Sequence, residues 1–204
     1  MDNTVYTIGY TSFDIGGFLS ILKSLGVSCL IDVRTTPIAS DFYKIYSKSS
    51  LQSLLKEHGI VYMNFDKEFG ARQPDEEFYT KYGYLDFEAF IQSDNFLSGV
   101  KRLQKGIELG NRIVLMCAEK DPITCHRAIM VARGLKQHSI KVAHIRANGG
   151  LETHEALEER LVDMYFPNRN QLSLFEQQSF DSYLQKAYRE QNAKIGYVKK
   201  QLIS

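Results

Sequence analysis

The sequence predicts an α/β domain built on a mostly parallel sheet with helices on both faces, and three observations carry that expectation. Short runs rich in β-branched and aromatic residues alternate with stretches of helical periodicity. Several of the short runs are apolar at successive positions, which marks strands buried on both faces. The chain has 204 residues, 44% of them apolar and 24% charged, enough for one sizeable core.

The elements follow in order. TVYTIGY at 4–10 reads as the first strand, and FDIGGFLSILKSLG at 13–26 puts Phe18, Leu22 and Leu25 on one helical stripe with Gly26 as a stop. SCLIDVR at 28–34 is the second strand. SLLKEHG is a helix that Ser49 or Ser50 can cap, and IVYMNF at 60–65 is the third strand. Residues 66–84 form a long aromatic loop with Arg72 near its middle, of the length often used for binding. DFEAF and FLSGVKRLQKGIELG read as helices, RIVLMCA at 112–118 as the fourth strand, 122–136 as a helix and KVAHIRA at 141–147 as the fifth strand. THEALEERLVDMYF closes a three-layer, Rossmann-like domain over residues 1–166. Residues 167–204 begin at Pro167 with an Asn/Gln-rich linker, continue as a helix over 179–193 and end in Lys194, Lys199 and Lys200.

Charge and composition narrow the function. Lys and Arg total 25 against 24 Asp and Glu, so any contact with nucleic acid rests on a local patch rather than on the net charge of +1. No run approaches the roughly 20 apolar residues of a membrane span, and MDNTVYTIGY lacks the features of a secretion signal, so a cytoplasmic protein with no membrane partner is expected. Three cysteines, Cys29, Cys117 and Cys125, argue for reduced thiols rather than a disulfide framework.

In an open parallel sheet, ligands bind beyond the carboxyl ends of the strands. Three strands end there in Gly9-Tyr10, Asp32-Val33-Arg34 and Cys117-Ala118-Glu119-Lys120. The next residues, Asp121-Pro122, read as a helix start, which puts Cys125, His126 and Arg127 in the first turns. Unpaired N–H groups at such a terminus attract anions and favour a thiolate. Cys125 is therefore the candidate nucleophile or redox thiol, Cys117 its partner and His126 a proton carrier. Gly9, Tyr10, Arg34, Arg72, Glu119, Lys120 and Arg127 are candidate anion- or substrate-binding residues, with Asp32 expected to orient Arg34 rather than act as a base. Cys117, Cys125 and His126 lack the paired spacing of structural zinc, so no metal is expected from spacing, and the cofactor stays open.

Together, TIGYTSFDIGGFLSILKSLGVSCLIDVR, FGARQP, LMCAEKDPITCHRAIMVARGL and VAHI resemble the family catalogued as domain of unknown function 488 (DUF488), over roughly residues 4–147. Its most specific block is intact as Cys117, Ala118, Glu119, Lys120, Asp121, Pro122, Cys125, His126 and Arg127. The opening motif departs from the family: Tyr10 stands where relatives usually carry histidine. The resemblance implies a compact α/β domain with a polar rim site and leaves the reaction open.

One further motif lies in the extension. Gln171-Leu172-Ser173-Leu174-Phe175 resembles the peptide by which bacterial polymerases and repair proteins dock on the sliding clamp, with Leu174 and Phe175 filling an apolar pocket and Gln171 fixing register. Two function classes follow. One is a nucleic-acid- or nucleotide-related accessory factor in DNA replication or repair, with an anion-binding rim and the sliding clamp as partner. The other is a cysteine-dependent enzyme acting on a small phosphorylated substrate.

Overall fold

A computed structural model describes residues 4–37, 41–169 and 178–199, with only the backbone of 41 and 42. Six strands form one sheet: β1 (Val5–Gly9), β2 (Cys29–Asp32), β3 (Val61–Asn64), β4 (Ile113–Cys117), β5 (Val142–Ile145) and β6 (Leu151–Thr153), in the order β3-β2-β4-β1-β5-β6. All neighbours pair parallel except β6, which runs antiparallel to β5. β6 is absent from the sequence expectation because three residues are too few to display a period of two. It arises because the chain turns back at Gly149 (φ 81°), where Arg146 N–H donates to Gly150 O at 2.8 Å.

Strand alternation sorts the side chains into two cores, as buried parallel strands require. Tyr6, Ile8, Leu30, Val114 and Met116 face α1 (Ile15–Ser24) and α2 (Lys48–Glu57), meeting Phe18, Leu22, Leu51 and Leu55. Val5, Ile31, Leu115 and Val142 face the other layer. That layer holds α3 (Asp66–Phe69), α4 (Phe87–Phe90), α5 (Asp94–Glu108), α6 (Arg133–Gln137), α7 (His154–Tyr165) and α8 (Phe180–Ile195). The result is the expected three-layer α/β fold with C-terminal helices. No helix among the described residues is long and apolar enough to cross a membrane.

The C-terminal extension packs on this body. Leu184, Ala187 and Tyr188 of α8 join the same core as β4, because they recur at the three-to-four-residue spacing of one helix face. Two buried amides on that face dock the helix to backbone. Gln191 Nε2 donates to Ile123 O at 2.7 Å, and Asn192 accepts from Phe87 N–H and donates to Leu85 O, both at 2.8 Å. Residues 196–199 then run beside 83–85, with Leu85 N–H donating to Tyr197 O at 3.1 Å. The segment Gln171–Phe175 lies outside the described residues.

A second device ties α8 to the sheet. Thr7 Oγ1 lies 2.8 Å from His144 Nδ1, His144 Nε2 lies 3.1 Å from His154 Nδ1, and His154 Nε2 lies 3.0 Å from Tyr188 Oη. Tyr188 O–H donates to Glu158 at 3.0 Å, and Lys136 pairs with the other oxygen of that carboxylate. One proton arrangement satisfies the whole chain: both imidazoles are neutral and protonated on Nε2, each donating to the next member. Burial, reinforced by nearby cations, holds His144 well below the ordinary imidazole range and pushes His154 down to about 3.

Candidate functional site

Parallel register places three strand ends at one level. Gly9 is the partner of Cys117, and Asp32 the partner of Met116. β1 and β4 approach so closely beyond this point that a Cβ on Gly9 would stand 1.8 Å from Glu119 O. Gly9 is therefore a contact point between the two rim segments and offers no side chain to a ligand.

Past these ends lies a pocket of about 340 Å³ lined by Tyr10, Arg34, Arg72, Cys117, Glu119, Cys125 and His126, among others. Its far wall comes from the C-terminal tail, through Ile195 and Tyr197. The guanidinium of Arg72 sits 4.6 Å over the Tyr197 ring, which joins the long loop to the tail. Arg72 was a sequence candidate, whereas Ile195 and Tyr197 were not and reach the pocket only because α8 is docked on the body.

Asp32 and Arg34 form a braced pair. Asp32 is fully buried and takes Arg34 Nε at 2.9 Å, Arg34 Nη2 at 2.6 Å, the Arg34 backbone N–H at 3.0 Å and the Tyr62 hydroxyl at 2.8 Å. Arg34 Nη2 also donates to Tyr46 O at 2.7 Å, and the guanidinium stacks 5.1 Å from the Tyr10 ring centre. Asp32 thus orients the arginine, and Tyr10 supplies a stacking face for it. Arg34 Nη1 has no hydrogen-bond partner among the described residues.

The loop after β4 departs from the expected long helix. Asp121 caps a single 3-10 turn over Pro122–Thr124, accepting from Ile123 N–H at 3.1 Å, and Cys125 is then extended (φ −132°, ψ 140°). Helical structure resumes over Arg127–Ala132 with wider, π-type bonding and leads into α6. Asp-Pro starts only one turn because Cys125 breaks it. Cys125 itself then heads the longer helix, its carbonyl accepting from Ala128 and Ile129 N–H and its sulfur 3.5 Å from Arg127 N.

Two candidate anion ligands lie elsewhere than in the pocket lining. Arg127 is fully buried and spends Nη1 on Glu119 O (2.8 Å) and Nη2 on Lys120 O (3.3 Å), so it holds the rim loop in place. Lys120 is exposed and does not line the pocket.

At the closed end, four acidic or basic side chains converge. Glu119 Oε2 lies 2.8 Å from Cys125 Sγ and 3.1 Å from Cys117 Sγ, while His126 Nδ1 lies 3.9 and 3.8 Å from the same sulfurs. His126 Nε2 stands 3.1 Å from Val33 O, so this nitrogen carries a proton and donates it to that carbonyl. Burial opposes ionisation of Cys125. A hydrogen bond from Cys117 and the charges of Arg127 and His126 outweigh it and hold this thiol well below the ordinary range. Cys117 moves the opposite way: its hydrogen bond to Cys125 and its burial push it well up. Burial, together with the Cys125 charge, raises Glu119. Cys117, Cys125 and His126 present ligand atoms that all lie within 4.8 Å of one another, a spacing compatible with one shared metal ion. The linear spacing gave no sign of this, since one ligand ends a strand and the others follow a turn.

A family model described as Domain of unknown function DUF488 matches residues 14–133, more than half of the chain. The matched span contains Asp32, Arg34, Arg72, Cys117, Glu119, Cys125 and His126, and leaves out Gly9 and Tyr10. No curated protein and no solved structure matches the chain.

Proposed function

The chain belongs to the DUF488 family, and we propose that this member binds the phosphate of a nucleotide or nucleic acid in its rim pocket, as an accessory factor in DNA replication or repair. The observation that carries this reading is the orphan donor, Nη1 of Arg34, on a buried, rigidly braced guanidinium that lines the pocket. A buried donor without a partner costs free energy until something accepts from it, and a phosphate oxygen does so with charge assistance. Asp32 neutralises Arg34, so Arg34 contributes direction and Arg72 contributes net positive charge. A nucleobase suits the partly exposed aromatic ring of Tyr197.

Titration of a labelled single-stranded oligonucleotide and of nucleoside monophosphates tests the pocket. Arg72→Ala should weaken binding about tenfold and lower the salt dependence, in line with the loss of one phosphate contact, while melting unchanged. Equal binding by the wild type and Arg72→Ala removes the pocket from the reading. The recruitment half rests on Gln171, Leu172, Ser173, Leu174 and Phe175. Replacing Leu174 and Phe175 by alanine should abolish binding to a purified bacterial sliding clamp and leave melting nearly unchanged. A large drop in melting temperature, with no clamp binding by the parent, would make the segment part of the core instead.

The cysteine-dependent reading draws on one observation, that Cys125 and Cys117 both line the pocket. It is the second choice because both sulfurs are buried and engaged with Glu119.

A further inference from the structure

We propose that Cys117 Sγ, Cys125 Sγ and His126 Nδ1 form a three-ligand binding site for one zinc-class divalent cation at the closed end of the pocket, with a fourth position open to the pocket. The argument is geometric. Tetrahedral zinc with bonds of about 2.3 Å to sulfur and about 2.0 Å to nitrogen needs sulfur–nitrogen edges of roughly 3.5 Å. The two edges here are 3.8 and 3.9 Å, so closing them onto an ion takes a few tenths of an ångström. Glu119 Oε2 stands beside both sulfurs but outside the set of ligand atoms that lie within 4.8 Å of one another, so it neighbours the site without filling a corner.

The surroundings fit the same assignment. His126 Nε2 donates to the Val33 carbonyl, the outer hydrogen bond that fixes the tautomer and ring direction of a metal-bound histidine. The Arg127 backbone N–H points at Cys125 Sγ, as N–H groups do at metal-bound thiolates. Charge also closes: two thiolates and a neutral imidazole balance a divalent cation. Two sulfurs and an imidazole select zinc-like ions over magnesium or calcium, which prefer oxygen. The ion enters through the pocket, which all three ligand residues line. This site does not depend on phosphate binding by Arg34 and Arg72.

The test is cobalt(II) titration of the full-length, chelator-stripped chain in phosphate-free buffer. One equivalent should produce a sulfur-to-cobalt charge-transfer band with the intense visible bands of tetrahedral cobalt, and zinc should displace it. Cys117→Ser and Cys125→Ser should each lose much of the charge-transfer intensity, and Cys29→Ser should keep it. Because the first two variants alter buried positions, the wild type supplies a second readout: zinc should protect Cys117 and Cys125 from alkylation, mapped by mass spectrometry, and leave Cys29 unaffected. A wild-type spectrum without charge transfer, or equal alkylation with and without zinc, overturns the proposal. Either result leaves the oligonucleotide titration of Arg72→Ala untouched, so the two readings fail separately.

Discussion

Arg34→Ala should lower stability by about 3–5 kcal/mol, because it strands a buried carboxylate. Asp32 is fully buried at the end of β2 and has its closest ionic contact with Arg34 Nη2 at 2.6 Å. Without the guanidinium it retains only the Tyr62 hydroxyl and a backbone N–H. For a chain of this size such a loss corresponds to a fall of roughly 6–20 °C in melting temperature. Arg34→Lys should fall between, since an ammonium keeps the charge and loses the two-pronged contact. Thermal melts of the three proteins check this. An Arg34→Ala protein that melts with the wild type would mean that Asp32 is not braced by this pair, and the preset direction of the arginine would go with it.

The second large effect is acid sensitivity from the buried histidine chain. Above pH 7 the imidazoles are neutral in both folded and unfolded chains and contribute no pH dependence. As pH falls through 6.5 the unfolded chain takes up protons, while His154 in the fold stays neutral down to about 3. Stability is therefore present above the unfolded value and is lost progressively between pH 6.5 and about 3. His154 alone should cost about 2 kcal/mol by pH 5, and His144, lowered in the same direction, adds to it. Urea unfolding at pH 7 and pH 5 measures the loss. In His154→Gln the difference between the two pH values should shrink by about 2 kcal/mol. An unchanged difference would show that His154 is charged in the fold.

The sheet was legible because its strands are short apolar runs whose alternation survives any packing. β6 was not, being three residues long and created by a turn. The rim was legible through a topological rule alone: strand ends converge in a parallel sheet, so Tyr10, Arg34, Cys117 and Glu119 line one pocket. What each does there depends on packing that no spacing encodes. Arg127 reads as an anion ligand in the sequence, yet Ala128, Ile129 and Met130 around it are core, and its guanidinium ends inside the protein on two carbonyls. Tyr197 reads as tail, and becomes pocket wall only because Gln191 and Asn192 clamp α8 to the backbone of the body.

A crystal structure of the chain with a nucleoside monophosphate tests the central claim most directly. The phosphate should accept from Arg34 Nη1 within hydrogen-bond distance, with Arg72 closing on it and the base against Tyr197. A nucleotide bound at the basic C-terminal end, with nothing on Arg34, would contradict it.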